Sequence, residues 1–121
     1  MIRVASVWRH HRREGEERVY VGRTCRGYPG SPLGNPYRGG DALSNYETWL
    51  RSRIQERDPK VVAELIRIAE LSEVRDVTLL CWCAKSSDGL LPEDPLICHA
   101  QIVGRVVGKI AMNAASKAGS L

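Results

Sequence analysis

Three of the four cysteines sit in one short stretch, "VTLLCWCAKSSDGLLPEDPLICHA", residues 77–100. An apolar run ends in Cys81-Trp82-Cys83, and Cys98 stands directly before His99. Thiolates and imidazole are the usual ligands of zinc and of iron–sulfur clusters. The same residues can also supply a nucleophile and its base. Reduced cysteines can equally be small apolar core residues with no chemistry at all.

A metal reading takes Cys81, Cys83 and Cys98 as thiolate ligands of zinc or of an iron–sulfur cluster. The fourth position is then left to His99, Cys25, a water or a substrate. Cys81 and Cys83 share a face of an extended strand but stand too far apart for one ion, so the chain must turn near Trp82. Adjacent helical residues point about 100° apart, which makes joint ligation by Cys98 and His99 awkward and suits His99 better to contact with substrate. The thiol reading makes Cys98 or Cys83 a catalytic thiolate paired with His99. Trp82 is expected in the core, on the opposite face.

A second feature with chemical potential is "TCRGYPGSPLGNPYRGGD", residues 24–41, with five glycines and three prolines. It cannot stay helical or extended for long, and loops of this length in a compact domain are usually functional. It lacks the Gly-Lys-Ser/Thr ending of a Walker loop. Gly22 and Arg23 precede it, and Gly34 and Asn35 lie within it; these four are the candidate ligand-binding residues, although Asn35 in Gly-Asn-Pro can also simply form a turn.

Hydrophobic periodicity supplies the elements that position these groups. Strands are predicted over 2–8, 18–23 and 76–82, the last too apolar to be half exposed. Helices are predicted over 42–57, with Leu43, Tyr46, Leu50 and Ile54 inward, and from Asp58-Pro59 onward, with Val62, Leu65, Ile66 and Ala69 inward. A third is expected from Asp94-Pro95 to about Asn113, with Ile102, Val103, Val106 and Ile110 inward. Its N-terminal partial charge would favour a thiolate at Cys98. Ala100, Gly104 and Gly108 recur about once per turn, which permits close packing. This order gives one α/β domain over 1–113, a short mixed or partly parallel sheet flanked by about three helices, and a frayed tail over 114–121. If strands 18–22 and 76–82 run parallel in one sheet, their carboxyl ends bring the loop and the thiols to one edge, where open α/β sheets bind ligands.

At this point the residues resemble a known family. Tyr20-Val21-Gly22-Arg23, Gly34-Asn35-Pro36-Tyr37, Tyr46 with Trp49-Leu50, Cys81-Trp82-Cys83-Ala84 and Cys98-His99 are similar to the signature of domain-of-unknown-function family 4326. That family comprises small proteins of bacteria and their phages. The similarity spans about 17–107 and implies a compact α/β organisation without supplying an activity. The segment between Cys83 and Cys98 is longer here than in the usual pattern, and Cys25 lies outside the signature.

Charge narrows the ligand class. Residues 1–40 carry eight arginines against three glutamates, whereas residues 41–121 carry ten basic and eleven acidic groups. Arginine's planar donor fork suits phosphate. The expected partner is therefore a phosphate-bearing small molecule such as a nucleotide, or a nucleic acid, and His10 and His11 are expected to be solvated. No apolar run approaches the ~20 residues needed to span a bilayer. The start lacks a signal-peptide core, which points to the cytoplasm and to no membrane partner. The leading expectation is a metal-dependent protein acting on a phosphate-bearing ligand. The alternatives are a non-catalytic nucleic-acid-binding module with a structural metal, and a metal-free thiol enzyme.

Overall fold

The computed structural model describes residues 1–8, 11–25, 27–82 and 88–119, with Asp88 and 114–119 described by backbone alone. Cys83 and His10 lie outside the described residues.

Four strands form one sheet: β1 (Ile2–Ser6), β2 (Glu16–Tyr20), β3 (Asp76–Cys81) and β4 (Asp88–Leu90), in the order β2-β3-β1-β4. β3 is parallel to both β1 and β2, and β4 is antiparallel to β1. The α/β fold with a mixed sheet is as the sequence implies. β3 accepts a partner on each side, and every residue after Asp76 is buried. That explains its run of apolar residues: a central strand covered on both faces has no solvent side to keep polar. The three residues of β4 carry no strand signal, and the sequence reads them as loop.

The connection from β1 to β2 is short for a parallel return, which usually needs a dozen or more residues. The return is fastened at its end by Glu16, which is buried. Its carboxylate accepts from Thr78 Oγ1 at 2.6 Å and from the Arg13 backbone at 3.2 Å, and faces the Arg13 guanidinium at 3.7 Å.

The helices are α1 (Ala42–Gln55), α2 (Pro59–Val74) and α3 (His99–Gly119). Asp58 caps α2 through the Lys60 and Val61 N–H groups, with Pro59 at the first turn, as Asp-Pro predicts. α2 buries Val61, Leu65, Ile68 and Ala69. Its predicted stripe included Ile66, which is exposed; neighbouring residues face about 100° apart, so a stripe through Leu65 leaves Ile66 outside. α2 and α3 pack on each other and on the sheet, and α3 contributes Ile102, Val103 and Val107 to the core. None of the described helices is long and apolar enough to cross a membrane.

The glycine spacing on α3 resolves into two different roles. A Cβ at Gly104 would stand 2.7 Å from Pro92 Cγ, whereas one at Gly108 would meet nothing within 4 Å. Gly104→Ala is therefore expected to destabilise by about 1–3 kcal/mol through overpacking. Gly108→Ala is expected to stabilise by roughly 0.5–1 kcal/mol through helix propensity. Paired urea denaturation curves check both, and equal signs would contradict the packing argument.

Candidate functional site

Parallel pairing sends the carboxyl ends of β2 and β3 to the same edge, where the chain after β2 is held by a dense set of backbone contacts. The Val21 amide donates to the Leu80 carbonyl at 2.9 Å, and the Ser31 amide donates to Gly22 at 2.9 Å. Gly34 lies against Gly22 so closely that a Cβ would be 3.0 Å from the Gly22 carbonyl oxygen. Gly22 is itself required by Tyr20, whose ring folds back so that its hydroxyl donates to the Arg23 carbonyl. Burial pushes the Tyr20 phenol above its ordinary pKa, so it remains a donor there. Further along, the Tyr46 hydroxyl on α1 donates to the Leu33 carbonyl at 2.7 Å. The long loop is thus moored at several points along its length.

The cysteines meet beneath this loop. Cys81 ends β3 and Cys98 immediately precedes α3; both are fully buried, with sulfurs 2.8 Å apart. α3 starts at His99 and not at Pro95. Asp94 does not cap it: its carboxylate accepts from the Leu91 amide at 2.8 Å. Cys98 takes the capping position instead, its sulfur accepting from the Ala100 N–H at 3.4 Å.

Gln101 closes the other half of the cap. Its side-chain oxygen accepts from the Ile97 and Cys98 amides at 2.8 and 3.1 Å. Its amide nitrogen reaches the Leu91, Asp94 and Pro95 carbonyls at 3.1–3.2 Å. This is the geometry of a capping box, in which the third helical residue reaches back to the cap.

His99 Nε2 lies 2.8 Å from the Val21 carbonyl. A carbonyl only accepts, so the ring donates from Nε2 and, when neutral, carries its lone pair on Nδ1. The ring is further held edge-on against Tyr46, centroids 5.0 Å apart. Ligand atoms of Cys81, Cys98 and His99 all lie within 4.8 Å of one another, close enough to hold one metal ion. The predicted difficulty in pairing Cys98 with His99 does not arise. The 100° rule applies between two helical residues, and Cys98 stands before the first of them.

Above this group opens a cleft of about 470 Å³. The strand ends and the loop line it with Gly22, Arg23, Thr24, Cys25, Asn35 and Arg38, while Trp82 and His99 form the side nearest the cysteines. Both α1 and α3 begin at its wall, at Ala42 and His99. Among the described residues no carboxylate lines it.

Comparison with known families decides the affiliation. The family described as Domain of unknown function (DUF4326) matches residues 6–109. This chain belongs to it. The match is somewhat wider than the span its motifs imply. No curated protein and no solved structure matches the chain.

The residues on which the family resemblance rests fall in three places. The Cys81 and Cys98-His99 motifs form the possible metal site. Gly22 and Arg23 enter the cleft, whereas Gly34 supports it from behind. Asn35 lines the cleft but is occupied by the loop: its Oδ1 accepts from the Tyr37 amide at 2.9 Å and its Nδ2 donates to the Ala42 carbonyl at 3.3 Å. Trp82 corrects the core expectation: it is only partly buried and walls the cleft, with Trp8 and Tyr28 against it. Cys25 and Tyr37 also line the cleft, as does Arg38, which sequence reasoning did not single out. For Arg38 the signal existed, since it is the one arginine inside a glycine-rich loop otherwise free of charge between Gly27 and Gly40.

Proposed function

We propose that this DUF4326 protein binds a phosphate-bearing ligand in the cleft, over a metal ion held by Cys81, Cys98 and His99. The observation that carries the reading is His99, which belongs to the cysteine group and lines the cleft containing Arg23 and Arg38. In this reading the two guanidiniums bind the phosphate, each through a planar donor fork. The Val21 carbonyl fixes the ring orientation and tautomer of His99, as outer partners of metal-bound histidines commonly do.

Two sulfurs and one imidazole suit zinc among common metals. Two thiolates on one tetrahedral zinc stand roughly 3.7 Å apart, so the sulfurs, now at 2.8 Å, must part by about 1 Å. An iron–sulfur cluster spreads its cysteines over several irons and fits this compact trio less well. A bound zinc supplies Lewis acidity or an activated water. The complete burial of both sulfurs favours a second reading, a binding module in which the ion is purely structural. It also argues against Cys98 as a thiol nucleophile, since that residue is fully buried and does not line the cleft.

The test combines metal analysis of anaerobically purified protein with calorimetric titration of ribose 5-phosphate. Bound zinc is expected, and Arg23→Gln and Arg38→Gln should each weaken phosphate binding about tenfold. Protein that retains neither zinc nor iron, made with both available, sinks the metal half. Failure to bind any phosphomonoester sinks the other. Turnover of a bound phosphoester would separate an enzyme from the binding module.

A further inference from the structure

The cleft does not end at its basic lobe. A second hollow of about 350 Å³ shares Trp82, His99, Asn35 and Ala42 with it and adds Leu43 and Ile97. One end of the combined space therefore carries two guanidiniums, and the other carries branched apolar side chains. Trp82 stands between them with its orientation fixed, near-perpendicular to Trp8 at 5.0 Å and to Tyr28 at 5.9 Å. Ile97 is 42% exposed, an apolar side chain left at the rim of a cavity.

The distribution of positive charge favours a small ligand over a polymer. Arg3 faces Asp76 and Arg13 faces Glu16, while Arg12 and Arg18 line a depression shared with Glu16 and Glu17. Of the described arginines in the basic first third, only Arg23 and Arg38 share a concavity that lacks a carboxylate. A nucleic-acid strand is tracked by a continuous basic groove with successive stacking platforms. Two guanidiniums at one end of a short cleft, with an aromatic and apolar lobe at the other, match one phosphate and one planar ring.

We propose that the cleft takes a single nucleoside phosphate, its phosphate at Arg23 and Arg38 and its base in the lobe formed by Leu43, Ile97 and Trp82. This rests on the phosphate reading above and adds the ligand's other end. Three probes separate the two: the common ribonucleoside monophosphates, ribose 5-phosphate, and a single-stranded oligonucleotide.

The preferred monophosphate is expected to bind about tenfold or more tightly than ribose 5-phosphate, in line with the energy of stacking a base on an aromatic side chain. Ile97→Asp, at an exposed position, should bring that ratio toward one, since the added charge acts on both phosphates alike and only the monophosphate loses base contact. Arg38→Gln should weaken both ligands by the same factor. Equal affinities for monophosphate and sugar phosphate in the unaltered protein would overturn the base lobe and leave the phosphate reading standing. Loss of the ribose 5-phosphate signal itself would remove both. An oligonucleotide that binds more tightly than any monophosphate, with affinity falling steeply with salt, would overturn the proposal in favour of a polymer. Circular dichroism of Ile97→Asp and of Ile97→Ala guards against misfolding, and an unchanged ratio in both folded variants counts against the base lobe.

Discussion

Gln101→Leu is expected to destabilise the protein by about 3–5 kcal/mol, the largest loss of any single substitution considered. The side chain is fully buried and joins two amides to three carbonyls. Leucine fills a similar volume but bonds to none of them. The Leu91 and Asp94 carbonyls keep the Asp94 amide and Arg105 as donors. The Ile97 and Cys98 amides and the Pro95 carbonyl lose this partner, and each buried group left unsatisfied costs roughly 1–3 kcal/mol. Partial relaxation of the 91–98 segment toward water keeps the total below a simple sum. For a domain of this size the loss corresponds to a fall in Tm on the order of 15 °C. Gln101→Glu gives a control with a sign. Its carboxylate would face three carbonyls in a buried site, so its folded-state pKa is raised. Part of the lost stability should then return as the pH falls toward the unfolded-state value of about 4.3, because the protonated acid donates again. A Gln101→Leu protein within 1 kcal/mol of the parent would show that the capping network contributes little.

Cys98→Ser separates the metal from the fold. Serine is a good helix cap and can accept from the Ala100 amide as the sulfur does, so the metal-free variant should match the metal-free parent within about 1 kcal/mol. Its zinc affinity should fall by about 100-fold or more, since loss of even an outer partner of a metal ligand costs 10–100-fold. Chelation is therefore expected to lower the Tm of the parent and leave that of Cys98→Ser unchanged, the difference following the mass-action stabilisation by bound ion. Cys81→Ser should behave in the same way toward zinc. A parent protein whose Tm ignores both zinc and chelator would sink the metal site directly, whatever the variants do.

Much of the scaffold could be read from pattern alone, because burial and periodicity act locally. The apolar run of β3, the β-branched and aromatic residues at the end of β2 and the Asp58-Pro59 helix start each carry their own signal. Parallel pairing of β2 with β3 then placed loop and thiols on one edge. The start of α3 was misread for a physical reason. Asp94-Pro95 has the composition of a helix start, yet Gln101 takes up the Leu91, Asp94 and Pro95 carbonyls and holds that segment non-helical. A glutamine reaching backwards leaves no local mark. Strand alternation puts Trp82 in the core, but alternation lapses once β3 ends at Cys81. Arg38, Tyr37 and Ile97 come together only through the path of the loop and of the 91–98 segment, and neither has a period to read.

The central place of β3 has a consequence in time. Ile2 pairs with Val77 and Glu16 with Asp76, so both parallel ladders join segments 60 or more positions apart. Such contacts form only after the entropy of closing a long loop has been overcome, and chains rich in them fold slowly. α1 and α2 lie within the intervening chain and depend on local contacts. Helical signal should therefore precede the sheet in refolding. The cleft and the cysteine group, both built at strand ends, become competent to bind only with the last cooperative step.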